Sequence, residues 1–228
     1  MRIVALETSG RDATLAALEG DAGQAAQLRH EAAIVGPERT AQFLAPRLQE
    51  MLRALDWKPG DVELVAVTVG PGSFTGLRIG VTTAKTLAYA IGAQLIGVNT
   101  AEVIAQQLPI DRTPLWAVMD AQRQELFAAR FDAERNMIGE LQILSQSAWR
   151  NRLHSGDAVI GPGLKRLRVE LPDDVRVVDE SLWQPQASTV GQLGWRDFSA
   201  GRRDDLWQLV PQYYRQSAAE EKRGSGSS

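Results

Sequence analysis

The spacing of apolar residues changes twice along the chain. Before residue 37, short β-rich segments alternate with clusters of turn-forming residues, a pattern that predicts an antiparallel meander. The three predicted strands cover residues 3–7, 14–18 and 24–33. Leucines and methionines then fall at helical spacing over 38–55, and the almost uninterrupted apolar run 64–69 is typical of a strand buried on both faces.

A turn, a helix over 75–89, a short strand at 95–98 and a helix over 101–108 complete this first part. The order β-β-β-α-β-α predicts an α/β fold in which a meander and right-handed β-α-β crossovers share one mixed sheet. After Pro109 and Pro114, three further strand segments predict a second meander, over residues 115–119, 125–131 and 138–144.

The second part therefore begins like the first, which suggests an internal duplication. Gly161-Pro162-Gly163 repeats the Gly70-Pro71-Gly72 turn, with possible strand signals at 175–178 and a helix over 188–199. We predict an N-terminal half over 1–108, a smaller C-terminal half over 109–217, and a flexible tail over 218–228.

Composition narrows the classes of function. The 228 residues include no cysteine, which excludes disulfides, cysteine nucleophiles and thiolate metal sites. With no apolar stretch long enough to span a bilayer or to form a signal peptide, we expect a soluble cytoplasmic protein that binds no membrane. The formal net charge of −3 argues against unaided nucleic-acid binding. The basic stretches 165–168 and 202–203 are local exceptions, which we interpret as solvated turns.

The strongest local signal is the glycine-rich stretch that joins the buried strand to the helix over 75–89. Its backbone N–H groups could face an anion, or it could be a tight connection without a ligand. It is not a Walker A loop, because Leu77 stands where that motif needs lysine. Gly76, Gly80, Thr83 and Ala84 form a stripe of small residues on one helix face, which predicts close packing inside a core or against another subunit.

Acidic and hydroxyl residues follow two of the predicted strands. Glu7-Thr8-Ser9 and Asp120 could hold a nucleotide and a metal, or could simply form turns. His30 and His154 each stand alone, so a metal site built on paired histidines is not expected. The six tryptophans are interpreted as core residues.

Several of these segments together resemble the TsaB (YeaZ) family. They are residues 3–9, the string Gly70-Pro71-Gly72-Ser73-Phe74-Thr75-Gly76-Leu77-Arg78-Ile79-Gly80, Ala84-Lys85, residues 120–127, and Pro211-Gln212-Tyr213-Tyr214-Arg215, which matches a C-terminal strand of the family. The resemblance implies an actin-like (ASKHA) fold of two ribonuclease-H-like halves. It also implies a role in forming N6-threonylcarbamoyladenosine at position 37 of tRNAs that read ANN codons.

The resemblance further implies a non-catalytic scaffold that binds the related transferase subunit TsaD, with the ATPase TsaE as another partner and tRNA bound only through the complex. Family members use the first two helices both for homodimers and for TsaD. This predicts an interface formed by Leu44, Leu48, Met51, Gly76, Gly80, Thr83, Ala84 and Leu87. Glu7, Thr8, Ser9, Gly72 and Ser73 would be a vestigial nucleotide loop, with ATP or ADP bound, if at all, at a subunit junction.

Two departures bear on these expectations. Thr100 and Ile104 stand where TsaD has the histidines of a metal-binding His-x-x-x-His motif, so we expect no metal and no catalytic residue. The first helix begins Pro37-Glu38-Arg39-Thr40 and lacks the histidine that often opens it in the family. The alternatives are an ASKHA-type ATP-dependent kinase of small molecules that uses Asp120, a peptidase, and a homodimer with no role alongside TsaD.

Overall fold

The computed structural model describes residues 1–215, apart from the side chains of residues 37–39. The first sheet has five strands in the order β3-β2-β1-β4-β5. These strands are β1 (Arg2–Glu7), β2 (Ala13–Glu19), β3 (Gln27–Ile34), β4 (Val62–Gly70) and β5 (Gln94–Asn99). β1 pairs antiparallel with β2 and parallel with β4, so the predicted combination of meander and crossover is confirmed.

Helices cover both faces of this sheet, because its strands are apolar on both sides. Val4 and Leu6 of β1 pack beneath helices α1 (Pro37–Ala54) and α2 (Phe74–Ile91). The alternate residues Ile3 and Ala5 belong to the opposite core layer. Helix α3 (Thr100–Gln106) contributes to that layer and also packs against the second sheet.

The second sheet repeats the arrangement of the first, with the order β10-β9-β6-β7-β8. Its elements are β6 (Leu115–Asp120), β7 (Glu125–Phe131), β8 (Met137–Ser145), helix α4 (Gln146–Arg150), β9 (Ala158–Ile160) and β10 (Arg176–Val177). Gly70 and Gly161 both have positive φ before a proline, at equivalent strand ends. Two halves of one topology support the duplication, and the predicted α/β fold of two such halves is confirmed.

Residues beyond the second sheet return to the first half, which corrects the predicted boundaries. Helix α5 (Ala187–Ser199) packs on β1, β2 and β4, so the C-terminal half does not extend to residue 217. Val190 and Leu193 fill the core layer that lies opposite α1 and α2. The tail predicted over 218–228 lies outside the described residues.

The return segment, residues 202–215, then runs beside the first half and back to the second. Asp204 Oδ2 accepts a hydrogen bond from Gly97 N at 2.8 Å, and Gln212 N donates to Val69 O at 2.7 Å. The end of this segment forms no strand, contrary to the expectation for residues 211–215, because its hydrogen bonds are isolated ones. The core-residue prediction is also wrong for Trp207, which is 68% exposed, whereas the other five tryptophans are buried.

Two predicted boundaries also shift. The third strand covers residues 27–34 instead of 24–33. The carbonyl of Gln24, outside the strand, accepts a hydrogen bond from Trp195 Nε1.

None of the helices in the described part of the chain is long and apolar enough to cross a membrane.

We expect Gly194→Ala to destabilise the protein by about 1–3 kcal/mol, because the added methyl would lie 2.6 Å from Cβ of Ala66 in the central strand β4. The overlap outweighs the higher helix propensity of alanine, which is worth about 1 kcal/mol. The measurement is urea unfolding. Gln192→Ala, at an exposed position of the same helix, is the control and should leave stability nearly unchanged. A stabilised Gly194→Ala variant would contradict the close packing of α5.

Candidate partner face and inter-lobe cleft

The turn between β4 and α2 is held against the turn that follows β1. Ser73 caps α2, with its Oγ accepting a hydrogen bond from Gly76 N at 3.2 Å. Ser73 N in turn donates to Ser9 O at 2.7 Å. Gly72 approaches Ser9 so closely that a Cβ there would lie 2.6 Å from Ser9 Cβ. The glycine-rich stretch therefore connects β4 to α2 and packs tightly against the turn that follows β1.

The small-residue stripe of α2 lies inside the chain. Gly76 faces the backbone oxygen of Thr8, and Gly80 faces the Thr8 side chain so closely that neither position has room for a Cβ. Ala84 is fully buried on the same face. Of the two interpretations of the stripe, the structure supports packing within the core, since Gly76 and Gly80 contact Thr8 at the end of β1.

The other predicted interface residues are also mainly internal. Leu44, Leu48 and Met51 of α1 are buried in the layer beneath that helix, and Thr83 and Leu87 of α2 are half-buried. The structure therefore places most of the predicted interface residues where a partner cannot reach them. Whether the two helices bind a partner remains a prediction, but the residues that face outward are different ones.

The outward faces of α1 and α2 carry small side chains at helical spacing. Ala41 and Ala45 are exposed on α1, and Thr82, Thr86 and Ala90 are exposed on α2. The two helices pack against each other on one side of the first sheet. We call the surface formed by these five residues the partner face. Its small residues leave room for the backbone of another helix to approach closely. The periodicity of Thr82, Thr86 and Ala90 was available from the sequence and is offset by two residues from the stripe that we predicted.

A cleft of about 610 Å³ separates the two halves. Ser9, Gly72 and Ser73 line it on one side, and Asp120 lies on the other. The return segment supplies a third side, which sequence reasoning missed because it assigned residues 211–215 to a strand. These additional lining residues are Gln212, Tyr213, Tyr214 and Arg215.

The return segment joins the two halves at this cleft. Arg215 donates hydrogen bonds to the carbonyl of Ala121 and to the carboxylate of Glu125, in the hairpin between β6 and β7. Tyr213 accepts a hydrogen bond from Arg78 of α2 at 2.9 Å and packs on the ring of Phe74. These contacts fix the distance between α2 and the second sheet.

Glu7 is buried beside the cleft and is not among the residues that line it. Its Oε1 accepts hydrogen bonds from Ser9 N at 2.7 Å, from Ser9 Oγ and from Thr68 Oγ1 at 3.4 Å. Burial raises the pKa of the Glu7 carboxyl to about 7, although these hydrogen bonds lower it. Thr8 Oγ1 is also buried and has no hydrogen-bond partner within residues 1–215. The Glu7-Thr8-Ser9 turn thus presents Ser9 to the cleft and keeps Glu7 away from it.

Asp120 is the predicted carboxylate that does line the cleft. Its Oδ2 is occupied by Arg166 Nη1 at 2.6 Å and by Gln122 Nε2 at 3.2 Å, and its Oδ1 accepts from Gln122 N. A kinase site would need carboxylates that can hold a magnesium ion together with a nucleotide. The geometry brings one of the two predicted carboxylates to the cleft and pairs it with an arginine, so it gives this alternative little support.

The two positions that the family resemblance aligned with metal ligands of TsaD lie in the core. Thr100 and Ile104 on α3 are fully buried, and Ile104 packs among residues of the second sheet. Within residues 1–215, leaving aside the side chains of 37–39, no three His, Asp or Glu side chains are grouped as a metal site would require. Side chains packed in this way cannot hold a metal ion at this helix.

We expect the wild-type free energy of unfolding to fall as pH rises from about 4.5 to about 7. The folded state holds the Glu7 proton in this window while the unfolded state releases it, which costs up to about 3 kcal/mol of stability above pH 7. Glu7→Gln should remove this pH dependence, so its stability relative to wild type should increase between pH 4.5 and 7. Urea unfolding at several pH values measures the difference. The exposed Glu134→Gln variant is the control, and parallel curves for wild type and Glu7→Gln would contradict the prediction.

Comparison with known proteins adds a family to this geometry. A family model described as TsaD, tRNA N6-adenosine threonylcarbamoyltransferase, matches residues 36–148, just under half of the chain. The Bacillus subtilis protein named tRNA threonylcarbamoyladenosine biosynthesis protein TsaB is 27% identical over 188 residues, which cover 78% of this chain and 80% of the relative. The Escherichia coli protein of the same name is 31% identical over 140 residues, which cover 60% of this chain and 58% of the relative.

The solved structure of YeaZ from Pseudomonas aeruginosa has the same fold, with a TM-score of 0.76 at 23% identity. The match covers 93% of this chain and 99% of that one. A second Pseudomonas aeruginosa structure, of an uncharacterized protein similar to peptidase YEAZ, also gives a TM-score of 0.76, at 22% identity and 94% and 99% coverage. The fold agrees with the actin-like arrangement of two halves, and the family-model match over residues 36–148 includes the stretches 70–80, 84–85 and 120–127 that contributed to the resemblance. Together, these relatives and solved structures support the TsaB (YeaZ) family for this chain.

Proposed function

We propose that this chain is a non-catalytic subunit in the formation of threonylcarbamoyladenosine in tRNA. In this proposal it binds a TsaD-type transferase through the partner face on α1 and α2. The names of its relatives in Bacillus subtilis and Escherichia coli support the pathway. The observation that carries the binding mode is the exposed row of small residues on two adjacent helices, because such a row leaves room for a second pair of helices.

The proposed absence of catalysis rests on the same positions that were compared with the transferase. Thr100 and Ile104 replace the two histidines and are packed in the core. Glu7 is held beneath the cleft by Ser9 and Thr68, and Asp120 is paired with Arg166. Each of these side chains already has a structural role, which favours a supporting subunit over an enzyme.

The remaining partners follow from the proposed binding mode. A second copy of the chain would compete for the partner face, so the homodimer and the complex with the transferase exclude each other. The cleft opens beside Ser73 and Phe74 at the start of α2, and a nucleotide such as ATP or ADP would bind there only if a second subunit closed the site. The ATPase TsaE would then act at that junction, and tRNA would be recruited by the assembled complex.

We expect Ala45→Arg and Thr86→Arg each to weaken association with the cognate TsaD-type subunit at least tenfold, which corresponds to about 1.4 kcal/mol. A long charged side chain on the partner face would prevent close approach of the other helices. Light scattering of the mixed proteins, with a titration calorimetry series, measures complex mass and affinity.

Ala25→Arg is the matched control, since Ala25 is exposed in the loop before β3, away from α1 and α2. It should leave association unchanged. Gly80→Arg is not a useful test, because Gly80 packs on Thr8 and the variant should fail to fold. A wild-type chain that never associates with the transferase would refute the proposed function. Unimpaired association of both variants would refute the partner face alone.

A further inference from the structure

Basic side chains are concentrated on one edge of the second half. Arg150 and Arg152 lie on and just after α4, while Lys165, Arg166 and Arg168 follow β9, and all five side chains are exposed. We call these five residues the basic edge. They include the stretch 165–168, which the sequence alone suggested to be a solvated turn.

A buried glutamine holds the two parts of the basic edge together. Gln146, the first residue of α4, is 7% exposed. Its Nε2 donates to Arg166 O at 3.0 Å, and its Oε1 accepts from Arg168 N at 2.8 Å. Arg150 Nε donates to Glu170 O at 2.5 Å, which joins the end of α4 to the same segment. The basic residues therefore share one supported surface although up to 18 positions separate them in sequence.

Three of these charges are not neutralised by acidic side chains. Lys165 pairs with Glu180 and Arg166 with Asp120, each at 2.6 Å. By contrast, Arg150 binds a backbone carbonyl and Arg152 binds the Gln142 amide oxygen at 2.6 Å. Within residues 1–215, Arg168 has no carboxylate partner for its side chain. Three uncompensated guanidinium groups on a protein of net charge −3 mark this edge as a surface for an anionic partner.

We infer that the basic edge binds phosphates of the tRNA backbone, weakly in the chain alone and as an added contact in the assembled complex. Arginine suits phosphate because its planar fork can donate two hydrogen bonds to one phosphate group. The neighbouring Trp149 is fully buried, so the edge has no aromatic platform from α4 for stacking bases. The contact is therefore to the backbone and independent of sequence. The choice of tRNA over another polyanion rests on the proposed function.

The test is binding of an unmodified tRNA transcript to the full chain alone, measured by fluorescence anisotropy at salt concentrations between about 50 and 200 mM. We expect weak binding that the triple variant R150Q/R152Q/R168Q reduces at least tenfold at the lowest salt. The magnitude of the negative slope of log affinity against log salt should decrease by roughly 2 in this variant, because each phosphate contact contributes about 0.7–0.9 to it. The variant R150K/R152K/R168K, which keeps the charges, should retain most of the affinity.

The matched control is R29Q/R47Q/R196Q, which removes the same charge from exposed arginines that pair with carboxylates elsewhere. It should bind tRNA much as wild type does, and thermal melting should show that all variants fold. Equal losses in the two glutamine triples, or no tRNA binding by wild type, would overturn the inference. So would binding to phosphatidylserine vesicles with the same arginine dependence but no such dependence for tRNA. Light scattering with the transferase is unaffected by these outcomes, so the proposed function is tested separately.

Discussion

The contact between α2 and the end of β1 determines most of what this molecule presents to others. Gly76 and Gly80 bring the backbone of the helix onto Thr8, and side chains at these positions would separate the two elements. This contact fixes the rotation of α2 about its axis. As a result, Thr82, Thr86 and Ala90 face outward, and the Ser73 cap is held beside Ser9 at the cleft. One packing constraint thus sets both the partner face and one wall of the cleft.

The return segment is the second constraint, because it connects the halves after both sheets are complete. Lys85 of α2 donates to the carbonyls of Trp207 and Leu209 at 3.1 and 3.0 Å, while Arg215 binds the hairpin of the second sheet. The end of the segment, including Arg215, lines the cleft. A partner bound on α2 and a ligand in the cleft would therefore meet the same short piece of chain.

Much of the fold could be predicted from sequence, because strand and helix periods are local signals. The uninterrupted apolar run 64–69 indicated a central strand, and β4 is buried along nearly its whole length. The boundary at residue 217 could not be predicted, since the amphipathic pattern of α5 does not say which sheet it covers. Residues 211–215 looked like a strand but make single hydrogen bonds to both halves, which only the three-dimensional arrangement decides.

The candidate site was harder to predict for a related reason. A stripe of small residues indicates close approach but does not identify the neighbour, and for Gly76 and Gly80 the neighbour is the chain itself. Leu44, Leu48 and Met51 fill the core beneath α1, and the hydrophobic period alone cannot separate that role from an interface. The basic residues at 150–152 and 165–168 are distant in sequence, and the Gln146 side chain that joins them forms its hydrogen bonds only in the folded state.

The return of α5 to the first sheet also has a consequence for synthesis on the ribosome. Ala187 N donates to Thr14 Oγ1, and Gly194 packs on Ala66, so one face of the first sheet is completed by residues that follow the whole second sheet in the chain. Until they leave the exit tunnel, the apolar side chains of β1, β2 and β4 on that face remain exposed in the nascent chain. The N-terminal half consequently cannot complete its core during translation until the second half and α5 have been made.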